Sequence, residues 1–179
     1  MPELPEVETI ARGLRTAVVG LRIERLRCRL PRIVALDLHR FRTYIRGRTI
    51  DMVRRHGKYL FLMFDHRDCI AVHLRMTGQL LVVPLEHRAD RHTHLEILFH
   101  GSARKLVYRD VRTLGRFELA EAGPEAFLRS KLLGPAALKI APEELHRRLQ
   151  RRRGPLKAAL LDQKVLAGLG NIYADEILF

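Results

Sequence analysis

The chain of 179 residues carries 33 lysines and arginines against 20 aspartates and glutamates, which gives a net charge of +13 and a pI of about 10.8. This excess of positive charge favours a polyanionic partner, most simply nucleic acid, over a membrane surface or an acidic protein. A mean hydropathy of -0.12 indicates a globular protein, and no apolar run approaches the roughly 18 residues of a membrane-spanning helix. The alternative to a nucleic-acid surface is a solvated basic face that only aids solubility.

The cysteines and the first residues bear on the cellular compartment. Cys28 and Cys69 lie far apart in the sequence, which favours free thiols, with a single disulfide as the alternative. The start of the chain lacks the basic-then-apolar pattern of an export signal. We therefore expect a cytoplasmic protein without a membrane partner.

The first third of the sequence predicts two helices and a strand. In residues 7–19 apolar side chains recur at helical spacing, Pro5 and Glu6 suit the first turn, and Gly20 follows as a stop. Residues 21–30 alternate apolar and basic side chains, which predicts a half-exposed strand with a bulge. Residues 37–45 are predicted to form a short helix.

From residue 48 the pattern becomes that of a β domain. Short runs of aliphatic and aromatic residues are separated by Gly, Pro, Asp and His at the spacing of a sandwich or barrel. The run Tyr59–Phe64 is apolar on both faces, as in a central strand that is packed on two sides. The predicted strands are residues 50–54, 59–64, 69–74, 79–83, 94–99, 105–108 and 116–119.

A helical pattern follows the boundary at Gly134-Pro135. The predicted helices are Pro142–Gln150, Leu156–Leu161 and one that opens at Asn171. The fold class is therefore α+β, with a β-sandwich domain and its leading helix in residues 1–133 and a small helical domain in residues 134–179. The last helix ends on three apolar residues without a glycine cap or a basic last turn, so we expect a chain that is cut short.

Pro2 is the first residue with chemical potential. A methionine followed by proline is commonly removed, which leaves a secondary amine at the terminus. An α-amine titrates near pH 7.7–8.0, so roughly a tenth of such groups are unprotonated at neutral pH and can attack an electrophilic sugar carbon. Glu3 is placed to supply or accept the proton. Taken alone, these residues favour the simpler interpretation that Pro2 and the nearby acids only shape a helix start.

A glycine-rich turn precedes the last helix in the segment LAGLGNIYADEIL. Gly168 and Gly170 can adopt positive φ, and Asn171 is predicted to cap the helix. The turn then presents backbone N–H groups at a helix N-terminus, an arrangement that suits a phosphate. It lacks the preceding strand and third glycine of a dinucleotide fingerprint, and a plain helix connection is the alternative.

These two ends carry a resemblance to a known family. MPELPEVETI at residues 1–10 and LAGLGNIYADEILF at residues 166–179 resemble the two characteristic motifs of bacterial formamidopyrimidine-DNA glycosylases. Between them, RRHGKYLFL at residues 54–62, HLRMTGQL at residues 73–80 and DVRTLGRF at residues 110–117 are similar to family segments in the expected order. The resemblance covers essentially the whole chain and makes the helical domain a partial helix-two-turn-helix DNA-binding domain.

The resemblance implies a bifunctional DNA glycosylase and abasic-site lyase that removes oxidised purines of the formamidopyrimidine and 8-oxoguanine type. Pro2 would attack C1′ of the damaged nucleoside and form a Schiff base, after which the backbone is cleaved by β,δ-elimination. Glu3 would be the proton donor at the deoxyribose, and Glu6 would lie close to the lesion pocket. Lys58 would contact the DNA phosphate at the catalytic site; its alternative is a surface lysine at a strand end.

The resemblance also implies the DNA-binding residues. His73 and Asn171 would bind the phosphates that flank the extruded nucleotide, although a core histidine is the alternative for His73. Met76 would insert into the base stack, assisted by Arg112 and Leu114, because apolar wedges offset part of the few kcal/mol that unstacking costs. The expected partner of a monomeric protein is double-stranded DNA that contains oxidised bases or abasic sites.

The sequence also departs from the family pattern. Arg75 stands where glycine is usual, and Thr113 and Leu114 stand where arginine and phenylalanine are common. The four-cysteine zinc finger of the family is missing, and two distant cysteines cannot replace it. No cofactor or metal is therefore expected in this chain, and a site built from the histidines is a minor alternative. They are His87, His92, His94 and His100.

Two other functions compete with the enzyme. A remnant without its zinc finger would bind damaged DNA in a salt-sensitive way without turnover. A basic RNA-binding module would prefer RNA in competition. Retention of all the proposed catalytic residues favours the enzyme.

Overall fold

The structure is a computed structural model that describes residues 2–64 and 67–179. Whether Met1 is removed is therefore a question that lies outside the described residues. The helices are α1 (Leu4–Val18), α2 (Leu38–Ile45), α3 (Gly123–Ser130), α4 (Pro142–Gln150), α5 (Leu156–Leu161) and α6 (Asn171–Leu178). A short 3₁₀ helix covers Pro31–Ile33.

Eight strands form two antiparallel sheets of four strands each, in the orders β1-β6-β7-β5 and β2-β3-β4-β8. The strands are β1 (Ile23–Cys28), β2 (Met52–His56), β3 (Tyr59–Phe64), β4 (Asp68–His73), β5 (Gln79–Pro84), β6 (Thr93–Phe99), β7 (Arg104–Arg109) and β8 (Arg116–Ala120). The predicted class, an α+β protein with a leading helix, a β-sandwich and a helical segment, is confirmed.

The apolar pattern of β3 explains how the layers pack. Leu60, Leu62 and Phe64 point into the main core, which residues of both sheets, α1 and α2 share. Phe61 and Met63 point the other way, into a second cluster with Phe127 of α3. Because a strand exposes successive side chains to opposite faces, a run that is apolar throughout needs cover on both sides. The prediction of a central strand is therefore confirmed.

Most predicted elements lie within two or three residues of their observed bounds, and β1 has the predicted irregularity between Ile23 and Arg25. Helix α3 was not predicted from the sequence. It has only eight residues and opens with Gly123-Pro124, which is typical of a turn. The predicted division between residues 133 and 134 stays a prediction.

A partly exposed acid fixes α1 against β2. Glu8 accepts hydrogen bonds from Arg55 Nε at 2.7 Å and from Arg15 Nη1 at 3.0 Å. Burial by itself raises the pKa of Glu8, but the bonds from the two arginines outweigh it and lower the pKa to about 2. Arg15 also donates from Nε to the Val53 carbonyl. The helix that carries the N-terminus is thereby held to the sheet.

Neither a disulfide nor a membrane span emerges from the described residues. Cys28 and Cys69 are both free thiols, as expected. Over residues 2–64 and 67–179, no helix has the length and apolar character needed to cross a membrane.

Tyr108 is fully buried between two glycines that leave no room for side chains. A Cβ on Gly115 would lie 1.7 Å from the Tyr108 hydroxyl oxygen, and one on Gly78 would lie 2.8 Å from the same atom. The ring packs edge-on against Phe117 at a centroid distance of 5.0 Å. Both glycines therefore serve close packing around a single tyrosine.

We expect Gly115→Ala to lower the free energy of unfolding by about 2 kcal/mol or more, because the methyl group overlaps a fully buried ring. The matched control is Gly13→Ala, on the exposed face in the middle of α1, where an added Cβ meets nothing within 4 Å. It should raise the free energy of unfolding by about 0.5–1 kcal/mol through helix propensity. Urea denaturation measures both, and a neutral Gly115→Ala would contradict the packing argument.

Candidate active site

The two ends of the described chain meet at the start of α6. The Glu3 carboxylate accepts hydrogen bonds from the backbone N–H groups of Gly170 at 2.7 Å, Ile172 at 3.0 Å and Tyr173 at 3.4 Å. Glu3 is only 1% exposed, so these donors replace the water that a buried carboxylate loses. The negative charge also lies at the positive end of the helix dipole.

The glycines of the preceding turn make this approach possible. Gly168 has a φ of +119°, and its carbonyl accepts a hydrogen bond from the Leu4 N–H at 3.1 Å. A Cβ on Gly168 would lie 2.6 Å from Leu4 Cδ1, and a Cβ on Gly170 would lie 2.4 Å from Glu3 Cδ. Any larger residue at either position would push the N-terminal residues away.

Three details of the sequence-based prediction for this turn are wrong. Gly170, with a φ of −129°, is extended and does not use positive φ; it is glycine because Glu3 occupies the space. Gly170 is also the N-cap of α6, and Asn171 is the first helical residue. The N–H groups predicted to hold a phosphate bind the Glu3 carboxylate instead. A distant acid of the same chain satisfies them, which local patterns do not reveal.

Pro2 and Glu6 adjoin Glu3. Pro2 is partly exposed, whereas its neighbour Glu3 is buried. The Glu3 N–H donates to Glu6 Oε2 at 2.9 Å, and the Tyr173 hydroxyl group reaches Glu6 Oε1 at 3.5 Å. Residues 3–6 are therefore fixed by backbone, carboxylate and helix contacts together, and they form an ordered part of the site.

A cavity of about 620 Å³ opens beside this junction. Glu3 touches its wall through Gly170. The wall contains five of the residues that the resemblance singled out, drawn from the β domain and from the helical segment. The lining is Lys58, His73, Arg75, Met76, Leu114, Arg116, Leu161, Gln163, Leu169, Gly170 and Asn171.

Lys58 is buried in this wall, at 8% exposure. Burial lowers the pKa of its ammonium group, and the nearby Glu3 carboxylate opposes that shift. The alternative of an ordinary surface lysine is wrong. A desolvated lysine beside a carboxylate can serve as a positioned cation or a proton carrier.

His73 ends β4 and faces the same cavity. Burial, together with the positive charges of Arg75 and Lys58, lowers the pKa of His73 to about 3, so the ring is neutral at pH 7. Its Nδ1 accepts the Arg75 N–H at 3.0 Å. The remaining proton is therefore assigned to Nε2. Tyr59 packs edge-on against the ring at 4.7 Å. His73 is a packed strand residue that also offers an N–H donor.

Met76, Arg112 and Leu114 lie on two adjacent loops. Met76 is 42% exposed and Leu114 is 43% exposed, so both large apolar side chains are accessible to a partner. Arg112 Nη1 lies 3.0 Å from Met76 Sδ and donates to it. Arg75 and Thr113, one on each loop, have φ values of 59° and 56° in the left-handed region. The two loops thus present one mixed apolar and cationic edge.

Gln163 is a site residue that sequence reasoning missed. Its Nε2 donates to the carbonyls of Leu161 and Leu169, and its Oε1 accepts the Gly168 N–H, all at 2.9 Å. One side-chain amide therefore fixes the turn that receives the N-terminus. The only available signal was a polar residue shortly before a glycine-rich segment, which is too common to be informative.

The described residues do not fit a metal site. Among residues 2–64 and 67–179, no three or more His, Cys, Asp or Glu side chains form a group that could hold a metal ion. Of the four histidines considered above, His94 bonds through Nε2 to the Asp110 carbonyl, and His92 accepts from Arg91. The two free cysteines cannot form a four-cysteine zinc site.

Family models match most of the chain. The formamidopyrimidine-DNA glycosylase N-terminal domain matches residues 1–117, and the H2TH domain of the same proteins matches residues 133–179. Formamidopyrimidine-DNA glycosylase of Carboxydothermus hydrogenoformans is 42% identical over the whole chain, and that of Herpetosiphon aurantiacus is 43% identical. The chain spans 65% and 66% of the length of these two relatives.

Solved structures of formamidopyrimidine-DNA glycosylases are also similar to this chain. Formamidopyrimidine-DNA glycosylase of Lactococcus lactis, non-covalently bound to DNA containing an AP site, superposes with a TM-score of 0.91 at 33% identity. The match covers 99% of this chain and 68% of that one. A MutM protein in complex with carbocyclic 8-oxo-G containing DNA also has a TM-score of 0.91 at 33% identity, over 99% and 67% of the two chains. The chain therefore belongs to the formamidopyrimidine-DNA glycosylase family.

Proposed function

We propose that this chain acts in DNA base-excision repair as a bifunctional glycosylase and abasic-site lyase for oxidised purines. The observation that carries the proposal is the buried Glu3 carboxylate at the start of α6, because it ties the neighbour of Pro2 to Gly170, in the wall of a cavity lined by cationic and apolar side chains. A mobile terminus would not need such an anchor. Family membership supports the same chemistry.

Pro2 is the proposed nucleophile. The lone pair of its nitrogen forms a bond to C1′ of the damaged nucleoside while the bond from C1′ to the base breaks. The Glu3 carboxylate takes the proton that the Pro2 nitrogen carries after the attack and gives it to the deoxyribose oxygen, so the sugar ring opens and a Schiff base links Pro2 to C1′. Loss of the C2′ proton then breaks the C3′–O bond, and a second elimination breaks the C5′–O bond.

Glu6 and Lys58 complete the proposed catalytic region. Glu6 is the proposed neighbour of the lesion pocket, and its carboxylate accepts a hydrogen bond from the Glu3 N–H. Lys58 contacts the phosphate at the site. Its burial beside the Glu3 carboxylate keeps the ammonium group in a fixed position, which a phosphate contact at a reacting sugar requires.

His73 and Asn171 are the proposed contacts to the flanking phosphates. His73 lines the cavity as a neutral ring, and Asn171 is exposed at the first turn of α6. Both groups donate hydrogen bonds without carrying a positive charge. They would therefore fix the register of the DNA backbone, while the arginine-rich surface supplies most of the salt-dependent attraction.

Met76, Arg112 and Leu114 form the proposed wedge. Extrusion of a nucleotide costs a few kcal/mol of stacking and pairing, which an inserted apolar side chain partly offsets. The partner is double-stranded DNA with an oxidised base or an abasic site, bound by a monomer in the bacterial cytoplasm. No cofactor is assigned to this chain.

Binding of damaged DNA without turnover is the second candidate function. The observation that favours it is the net charge of +13, which attracts a polyanion whether or not catalysis follows. Such a protein would still bind duplexes with an abasic site in a salt-sensitive way, but it would leave the strand intact.

Borohydride trapping on duplex DNA with an abasic site tests the proposed nucleophile. The chain should form a covalent adduct at the Pro2 nitrogen, because borohydride reduces the Schiff base to a stable amine. Pro2→Gly should reduce trapping by about tenfold or more, since the secondary amine that forms the iminium is lost. Intact mass before trapping establishes whether Met1 has been removed.

Pro5→Ala is the matched control for this experiment, since it changes the other proline of the N-terminus and keeps the terminal amine. It should trap like the wild type. Equal trapping by Pro2→Gly would refute Pro2 as the nucleophile. Strand binding without any adduct from a chain that starts at Pro2 would favour the second candidate function.

The neutral state of His73 predicts a pH-dependent stability. Its pKa is about 3 in the folded protein, whereas an unfolded chain binds the same proton near pH 6.5. Below about pH 6.5, proton binding to His73 therefore favours the unfolded state. The His73 contribution should lower the free energy of unfolding by about 1 kcal/mol between about pH 7 and about pH 5.5, and the loss should continue toward pH 3.

Urea denaturation of wild type and His73→Gln at several pH values measures this contribution. The difference in free energy of unfolding between the two proteins should narrow as the pH falls, because the variant lacks the imidazole that must stay neutral in the folded state. His39→Gln, which removes an exposed histidine of α2, is the matched control. A constant difference between wild type and His73→Gln across the pH range would contradict the neutral ring.

A further inference from the structure

Asp110 is a fully buried acid at the base of the wedge loops. Burial alone raises its pKa, but hydrogen bonds from Thr77 and Tyr108 lower it to about 2, so the group is a carboxylate at neutral pH. Its oxygens accept bonds from the Thr77 hydroxyl, the Arg112 N–H at 3.1 Å, the Tyr108 hydroxyl at 2.7 Å, the Leu114 N–H at 2.8 Å and the Gly115 N–H at 3.1 Å.

The backbone of Asp110 is fixed as well. Its N–H donates to the His92 carbonyl at 3.0 Å, and its carbonyl is bonded to His94 Nε2 at 2.8 Å. The Tyr108 ring below the carboxylate has no free space around it, as the two flanking glycines show. The carboxylate therefore has a single position, and the groups that bond to it take their positions from it.

Those groups belong to both loops of the wedge. Thr77 follows Met76 directly, and its hydroxyl oxygen also accepts the Arg112 N–H at 3.2 Å. Arg112 and Leu114 donate their own backbone N–H groups to the carboxylate. One buried charge thus connects the loop that carries Met76 to the loop that carries Arg112 and Leu114.

We propose that Asp110 is a positioning residue that holds the two loops together as one rigid wedge for nucleotide extrusion. It touches neither the sugar nor the base, and it acts through Met76, Arg112 and Leu114. The inference deepens the proposed function and rests on it for the role of the wedge.

The physical reason is the cost of ordering. A wedge can offset stacking energy only if its side chains do not lose much freedom on insertion. Arg75 and Thr113 hold left-handed backbone conformations, which are costly for residues other than glycine and persist where the surroundings impose them. The carboxylate holds the residues on both sides of Thr113, and it holds Thr77, two residues after Arg75, before DNA arrives.

The rival explanation is that Asp110 only stabilises the β domain. The two explanations differ for substrates that need no extrusion. An abasic site in single-stranded DNA is already unstacked, so a wedge gives little advantage there. A general loss of stability would affect single-stranded and duplex substrates equally, whereas a loosened wedge would affect the duplex alone.

The experiment compares borohydride trapping rates on duplex and single-stranded abasic DNA for wild type, Asp110→Asn and Thr77→Val. Both variants should lower the duplex rate by roughly tenfold, the scale of one lost hydrogen bond to a charged group, with little change on single strands. Thr77→Ser keeps the hydroxyl group and should restore the duplex rate. Thermal melting establishes that each variant is folded at the assay temperature.

Asp90→Asn is the matched control. Asp90 likewise accepts bonds from several groups, namely Arg109, His92 and Thr93, but from none on the wedge loops. It should leave the ratio of duplex to single-strand rates unchanged. A proportional loss on both substrates, or no loss in folded Asp110→Asn and Thr77→Val, would overturn the inference.

A second measurement does not depend on catalysis. 2-Aminopurine placed opposite a tetrahydrofuran site in a duplex reports unstacking by its fluorescence. The wild type should change this fluorescence on binding, while Asp110→Asn and Thr77→Val should bind with a much smaller change. If the wild type gives the fluorescence change without trapping, the catalytic proposal fails and the inference survives. If the variants match the wild type, or the wild type gives no change, the inference fails.

Discussion

The contact between Glu3 and the N-terminus of α6 is the interaction on which the rest of the site depends. It joins residues 167 positions apart in sequence, and it brings the first residues of the β domain onto the helical segment. A buried carboxylate is costly unless hydrogen bonds replace its lost water, and the free N–H groups of a helix start are equally costly when buried. Each group satisfies the other. The position of Pro2 follows from this pairing, because the residue is bonded directly to the buried acid.

The turn before α6 is shaped by the same contact. Gly168 and Gly170 are glycines because Leu4 and Glu3 lie where their side chains would be, and Gln163 fixes the backbone from the other side. Glycine in this turn therefore has a different meaning from the one that a phosphate loop would give it. The turn is a receptor for the protein's own N-terminus, and the cavity beside it remains open for a ligand.

The local patterns of the sequence were sufficient for the secondary structure and insufficient for the contacts between the chain ends. Strand β3 and helices α4 and α5 have the predicted bounds, because each depends on its own hydrophobic pattern. The prediction of Asn171 as the N-cap of α6 is wrong, because the acceptor for the N–H groups at the helix start is Glu3, from the far end of the chain. Only the resemblance brought the two ends together beforehand. Lys58 illustrates the same limit, since its burial depends on contacts that no pattern in residues 54–62 reveals.

Long-range attraction and local geometry depend on different groups of the protein. The net charge of +13 attracts a polyanion at distances where individual contacts do not matter. Inside the cavity, burial lowers the pKa of Lys58 and keeps His73 neutral. Because these groups are already partly desolvated, they lose less hydration when a polyanion approaches. Two buried carboxylates then set the geometry on opposite sides, Glu3 for the N-terminus and Asp110 for the wedge loops. Because each is held by several donors, both sides can be rigid before any partner binds, which reduces the ordering cost of binding.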